Sequence, residues 1–511
     1  MSPQPARLHH AFDAWLARTP QRAFIHEPQR TWTFAALGKL VGAAERELRA
    51  DGVRPGDRVL IVAENCIGHV ALILACSRVG AWSCGVNARM AEGEVAAFDR
   101  KADARVVYFT HGVSEAAARH AMRLQGVRLS ALEGLSRSAV RPEAIAEAGP
   151  EAQGIVAIIF TSGTTGTPKG VLVTHAGLLH FARVSAQSRD LGPDDRAYAY
   201  LPMTHVFGLA TVLAASLHAG AQLLLRHAFS PDDVLDALAH HRLTTLQGPP
   251  TLFSRLLAHL DAKGVALPAC PQLRYLYTGA GPLDLTLKQS VEARFGQPLH
   301  HGYGLSEYAG SVALTRFSER RDDTSAGYVV EGAELRIVDA EGHDLAAGQR
   351  GEIWLRGTGL TPGYFRDPEA TRAAMKPGGW YASGDLGELG ADGALFVVGR
   401  LKEMIVRSGF NVYPAEVEAA LNAWPQIQRS AVVGRREADG NEQVIAYVEL
   451  RSGVTLDEAA LQAHLREHLA PYKRPALVLP VEQLPMTASG KVLKRELLER
   501  FPPRQHEETT R

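Results

Sequence analysis

Cysteine is scarce: four among 511 residues, Cys66, Cys76, Cys84 and Cys270, with no two spaced C-x-x-C. That excludes a disulfide scaffold and a thiolate zinc site, and free thiols in apolar surroundings suit a reducing compartment. Excess charge of either sign is also missing, because 55 lysines and arginines balance 55 aspartates and glutamates without a basic tract. A nucleic-acid surface or an electrostatic membrane anchor therefore has no footprint, and small molecules are the expected partners. The opening MSPQPARLHHAFDAWLARTP lacks the apolar core of a secretion signal. The longest greasy stretch, HVALILACSRVGAWSCGV, is broken by Arg78 and Gly80, which predicts a buried helix running into a strand and no integral membrane segment. These absences predict a cytoplasmic protein, and no internal repeat of about 20 to 50 residues is present.

What is there is enough apolar material, 46% of the residues, to fill more than one core. Helix-period segments such as FAALGKLVGAAERELRA and PDDVLDALAHH alternate with β-rich runs such as RVLIVA, RVVYF and AQLLLR. That rhythm predicts α/β layers around largely parallel sheets. From about Val329 the pattern changes to short strands between Gly/Asp turns, AELRIVDAEGHDL, GEIWLRG and GALFVVGR, which predicts a β-rich subdomain. Near Gly399 a further unit begins, with a helix at AEVEAALNAW, a strand pair at RSAVVGRR and EQVIAYVEL, and a helix at LDEAALQAHLREHL. The expected architecture is a large N-terminal domain, 1–399, of layered α/β subdomains plus the β-rich one, and a small α+β C-terminal domain, 400–511.

One loop stands out chemically. TSGTTGTPKG, Thr161 to Gly170, follows the apolar run GIVAIIF and precedes VLVTH. Glycines expose backbone N–H groups, hydroxyls add donors and lysine adds charge, so the loop suits phosphate. Its G-x-x-G-x-x-K spacing is not that of a Walker loop, which opens a helix; a strand, a phosphate loop and a second strand are expected. The ordinary alternative is a surface hairpin.

Three more clusters carry chemistry, each with an ordinary alternative. HGYGLSEY offers Tyr303 as a stacking face and Glu307 as a metal carboxylate, against a core aromatic and a solvated charge. YASGDLGEL and GRLKEMI offer Asp385 and Arg400 for a ribose diol or phosphate, against a turn residue and a linker ion pair. PMTASGKVLKREL offers Lys491, against a solubilising surface lysine. Phosphate donors, a ring, a metal carboxylate, a ribose carboxylate and two cations together make the equipment for ATP.

These segments, in this order along nearly the whole chain, resemble the adenylate-forming superfamily of acyl-CoA synthetases, nonribosomal adenylation domains and beetle luciferases. The resemblance implies that Thr161, Ser162, Gly163, Thr164, Thr165, Gly166 and Lys169 bind the β and γ phosphates of ATP. It further implies that Tyr303 lies against adenine, Ser306 contacts the α-phosphate, Glu307 holds Mg2+, Asp385 binds the ribose and Arg400 reaches ribose or phosphate. Lys491 would be the adenylation lysine, and the C-terminal domain would turn about a hinge at Lys402. Position 306 is commonly threonine in this family, and serine keeps the hydroxyl. RSGFNVYPAEVE looks like the fatty acyl-CoA synthetase version of its segment. Gly409 would line the thiol tunnel, while Phe410 departs from the glutamate of many relatives.

LPMTHVFGLA, with His205 and Phe207 and no carboxylate for a substrate ammonium, resembles the aromatic gate of acyl- and aryl-CoA ligases; the ordinary alternative for His205 is a satisfied core histidine. The segments expected around the acyl group, MTHVFGL, QGPP, YTGAGPL and HGYGLSEYAG, contain no lysine or arginine, so an apolar monocarboxylic acid, fatty or aromatic, is the expected substrate. The resemblance thus implies a carboxylate–CoA ligase that uses ATP and coenzyme A and forms acyl-AMP. The alternative enzyme loads a separate acyl or aryl carrier protein, since the twenty residues after Lys491 leave no room for a carrier domain. A noncatalytic sensor is disfavoured by the presence of Lys491 and Glu307. Association as a homodimer is compatible with the sequence.

Overall fold

The computed structural model describes residues 6–161, 169–407, 410–437, 441–451, 453–487 and 492–503. Two large sheets dominate. In one, seven strands run in the order Val127–Arg128, Ser136–Arg137, Val106–Phe109, Arg58–Ala63, Trp82–Asn87, Ile155–Thr161 and Lys169–Thr174. Its centre is parallel, and Lys169–Thr174 returns antiparallel beside Ile155–Thr161. The other sheet has nine strands, with Gln222–Leu225, Arg196–Ala199, Thr245–Gly248, Tyr275–Thr278 and Leu299–Leu305 as a parallel run and Gly310–Leu314 antiparallel next to the last.

One buried core joins the two sheets, taking Val59, Ile61 and Ile159 from the first and Ala197, Leu223 and Tyr277 from the second. Helices fill the space between. Phe34–Ala50 buries Phe34, Leu37, Val41, Ala44 and Leu48, a three-four spacing that marks one helical face, and the Thr33 hydroxyl caps it at Ala36 N, 3.1 Å away. Such a cap contributes about 1 kcal/mol. Ile67–Val79 is apolar on all sides and buried accordingly, and Gly80, at φ 77°, ends it before the strand Trp82–Asn87. The greasy stretch is thus an interior helix and strand, and no helix among the described residues is long and apolar enough to cross a membrane.

The sequence did not announce the π-helix Phe207–Ala214, every residue of which is buried. It begins where Gly208 passes so close to the Pro202 carbonyl that a Cβ would lie 2.2 Å from that oxygen. Among the cysteines, Cys66, Cys76 and Cys84 are buried free thiols as expected, and Cys270 is partly exposed.

The β-rich region is a five-stranded sheet with Ala333–Val338, Gly351–Gly357, Trp380–Leu389 and Leu395–Arg400 among its strands. After Arg400 come a hairpin, Ile405–Arg407 with Phe410–Val412, and a three-stranded sheet of Ile427–Arg436, Glu442–Leu450 and Leu477–Val481. The helices Pro414–Asn422 and Glu458–His468 pack on it around Val417, Leu421, Val432, Leu461 and Leu465.

Candidate active site

The glycine-rich loop is closed at its base by the antiparallel pairing of Thr161 with Lys169. Its interior lies outside the described residues, and with it Ser162, Gly163, Thr164, Thr165 and Gly166. Alongside the returning strand runs segment 361–365. Phe365 N donates to Gly170 O at 2.7 Å, Leu172 N to Gly363 O at 3.2 Å, and the Thr361 hydroxyl to Leu172 O at 2.7 Å.

Glu307 is delivered to the same place by the tight turn Ser306–Tyr308 at the end of strand Leu299–Leu305. The turn is anchored from below by fully buried Tyr308, whose hydroxyl donates to Gly332 O at 3.1 Å. Thr361 N donates to the Glu307 carbonyl at 2.7 Å, and the Tyr364 hydroxyl donates to Glu307 Oε1 at 3.0 Å. Tyr364 and Tyr381 share a hydrogen bond of 2.9 Å, and Lys169 Nζ lies 4.8 Å from the centre of the Tyr364 ring. Burial first, then the charge of Glu307, raises the pKa of both phenols, so they stay protonated donors. Ser306 is buried beside Glu307.

A second set converges on Asp385. The Tyr303 hydroxyl donates to Asp385 Oδ2 at 2.7 Å, and Arg400 Nε lies 3.1 Å from Oδ1. Asp385 and Arg400 are register partners on the antiparallel strands Trp380–Leu389 and Leu395–Arg400, which explains why residues fifteen apart in sequence face each other. Gly384, at φ 71°, turns the chain so that Ser383 Oγ accepts from Asp385 N at 3.0 Å. Burial alone would lower the pKa of Arg400, but the charges of Asp385, Glu403 and Glu307 outweigh it and the pKa is raised. Tyr381 and Asp385 share the strand Trp380–Leu389, and Tyr381 bonds the Tyr364 that holds Glu307, so this strand joins the Asp385 and Glu307 sets.

The segment that carries His205 and Phe207 meets the nine-stranded sheet at Tyr277. Phe207 N donates to His205 Nδ1 at 3.2 Å, and Phe207 stands edge-on to Tyr277 with ring centres 5.9 Å apart. Lys402 sits in the short turn Leu401–Glu403, its pKa lowered by burial and then by the charge of Arg400. Lys491 and Gly409 lie outside the described residues. Beyond Lys491, Lys494 Nζ reaches Glu418 Oε1 at 2.7 Å and Glu403 Oε2 at 3.5 Å, which ties this segment to the Lys402 turn. Phe410 is exposed and stacks on Tyr472 with ring centres 4.6 Å apart.

Of the residues expected from sequence, Thr161, Lys169, Tyr303, Ser306, Glu307, Asp385 and Arg400 thus occupy one connected region. Tyr364, Tyr381 and Thr361 were missed. Tyr381 stands four residues before Asp385 in YASGDLGEL, a signal that was available; Tyr364, in TPGYF, carried none.

Comparison with known proteins bears on the chain as a whole. The family profile described as AMP-binding enzyme matches residues 12–365, and that described as AMP-binding enzyme C-terminal domain matches residues 416–491. A feruloyl-CoA synthase of Amycolatopsis sp is 32% identical over 488 residues, 94% of this chain and 96% of its own. An indoleacetate–CoA ligase of Aromatoleum aromaticum is 33% identical over 488 residues, 94% of this chain and 95% of its own. Among solved structures, ATP-bound MatB from Rhodopseudomonas palustris superposes with a TM-score of 0.85 at 28% identity, covering 97% of this chain and 99% of that one.

Proposed function

The chain belongs to the AMP-binding enzyme family, the adenylate-forming superfamily, and we propose that its two converging residue sets are the ATP site of an AMP-forming carboxylate–CoA ligase. It is an acid–thiol ligase whose co-substrates are ATP and coenzyme A. The observation that carries the site assignment is the Tyr303–Asp385–Arg400 set beside Glu307 and Lys169.

In this reading Asp385 accepts the ribose hydroxyls, Tyr303 presents its ring to adenine while its own hydroxyl fixes Asp385, and Arg400 reaches ribose or phosphate. The loop from Thr161 to Lys169 holds the β and γ phosphates. Glu307 suits Mg2+, which takes one or two carboxylates and completes its shell with water and substrate phosphate. The tyrosine hydroxyl on Oε1 fixes the carboxylate's orientation. Bound there, Mg2+ supplies charge neutralisation to the phosphates.

The substrate carboxylate attacks the α-phosphorus in line and pyrophosphate leaves; Lys491 stabilises the charge that grows on the phosphate oxygens. Residues 400–511 then turn about Lys402, Lys491 withdraws, and the CoA thiol attacks the acyl-adenylate carbonyl beside Gly409. Chemistry thus needs no covalent enzyme intermediate. The acyl group lies against the Phe207–Tyr277 ring pair, an apolar setting that favours an aromatic or aliphatic acid body.

The test is a panel of carboxylic acids assayed for acid-dependent AMP release with CoA present. Release together with acyl-CoA is expected for at least one apolar-bodied acid. Acyl-adenylate that accumulates and passes only to a purified carrier protein would instead favour the carrier-loading enzyme.

A further inference from the structure

The segments expected around the acyl group meet at one end of the nine-stranded sheet. The Tyr277 hydroxyl lies where Cβ atoms on Gly302 and Gly279 would fall, 2.5 and 3.1 Å away, and shares a 3.2 Å hydrogen bond with Ser311. Gln247 is the register partner of Tyr277 on the next strand, so the two side chains leave the sheet on the same face. A segment not counted in the sequence argument ends there too: Arg189, just beyond helix His175–Gln187.

Arg189 is 2% exposed, and no carboxylate pairs with it among the described residues. Its acceptors are all neutral: the Ser185 carbonyl at 2.8 Å, the Ser185 hydroxyl at 2.9 Å, the Thr211 carbonyl of the π-helix at 2.8 Å and the Gln247 amide oxygen. Asp195, whose charge reaches Arg189, is itself held by Arg274. Four acceptors serve five guanidinium N–H groups, so one hydrogen on Nη1 is left over. Gln247 Nε2 also finds no acceptor among the described residues, although Gln247 is completely buried. Two idle donors and an uncompensated positive charge side by side, in a dry interior, are unfavourable unless something supplies an acceptor.

We infer that Arg189 and Gln247 close the far end of the acyl pocket and select acids bearing an oxygen acceptor, preferentially an anionic one, remote from the reacting carboxyl group. The inference rests on the ligase reading and adds to it the polarity of the tail. The acid body stays apolar or aromatic against Phe207 and Tyr277, and only its tip is polar. The four segments expected around the acyl group carry no lysine or arginine; the cation comes from a fifth.

The experiment compares kcat/KM for three skeletons, benzoate, cinnamate and hexanoate, each bare, with a far-end hydroxyl and with a far-end carboxylate. On the skeleton used best, the acceptor-bearing acids are expected to exceed the bare acid by roughly tenfold or more. Arg189→Met and Gln247→Leu should lower kcat/KM more for those acids than for the bare one, bringing the ratio towards one. Gln247→Glu keeps an acceptor for Arg189 and hence the packing, but it removes the idle donor and neutralises the guanidinium. It should reverse the preference against the carboxylate-tailed acid by roughly tenfold. A parent enzyme that prefers the bare acid, or variants that lower all acids by one common factor as a purely structural arginine would, overturns the inference while leaving the ligase reading intact. AMP release with none of the acids contradicts the ligase reading and the inference together.

Discussion

Tyr303 and Asp385, 82 residues apart in sequence, are joined by a 2.7 Å hydrogen bond from the phenol to the carboxylate, and burial keeps that phenol protonated. The bond fixes the orientation of the carboxylate before any ribose arrives. Asp385→Ala is therefore expected to weaken ATP use more than Tyr303→Phe does. Loss of a charged acceptor costs about 1.5 to 3 kcal/mol, roughly ten- to a hundredfold in kcat/KM for ATP, while loss of the neutral donor costs about 1 kcal/mol. Steady-state kinetics with ATP varied checks this; equal, small effects would make Asp385 a turn residue only.

Tyr364 holds Glu307 through one hydroxyl, so Tyr364→Phe should raise the Mg2+ concentration needed for half-maximal rate by roughly two- to tenfold. Titrating Mg2+ at saturating ATP measures it. An unchanged midpoint would detach Glu307 from the metal.

His69 lies in the first turn of helix Ile67–Val79, 1% exposed, and neither ring nitrogen has a partner among the described residues. Burial lowers its pKa from 6.5 to about 4. In the unfolded chain it protonates near 6.5, so its neutral form supports the fold fully above that pH. That contribution is lost as the pH falls towards 4, by about 1.4 kcal/mol per unit. His69→Leu should raise Tm at pH 7.5 and reduce the loss of Tm between pH 6.5 and 5. Calorimetry at both pH values checks it, and an identical loss in parent and variant contradicts it.

The sequence made these elements legible to different degrees, for physical reasons. Strands such as Arg58–Ala63 and helices such as Phe34–Ala50 carry their own periodicity, and the strand–loop–strand around Lys169 follows from β-branched runs flanking glycine. Asp385 and Arg400 were identifiable because an antiparallel pair brings near neighbours together. Tyr364 reaches Glu307 across 57 residues, and Arg189 reaches Gln247 across 58. No local pattern encodes such contacts, since both depend on how sheets and helices stack. The π-helix at Phe207 depends likewise on the Gly208 seat against the Pro202 carbonyl.

Lys491→Ala should slow acyl-adenylate formation by roughly two orders of magnitude or more while leaving CoA attack on a supplied acyl adenylate largely intact. That split is expected of a charge used only in the first transition state. Single-turnover pyrophosphate release and thioester formation measure the two steps separately. Equal damage to both would remove Lys491 from adenylation.

The central claim is that the acid's own oxygen attacks the α-phosphorus of ATP. An acid labelled with 18O in both carboxyl oxygens, incubated with the enzyme, ATP and CoA, tests this by mass spectrometry of the products. The account predicts one labelled oxygen in AMP and one retained in the thioester, with unlabelled pyrophosphate. Label in orthophosphate, with ADP as the nucleotide product, would contradict it.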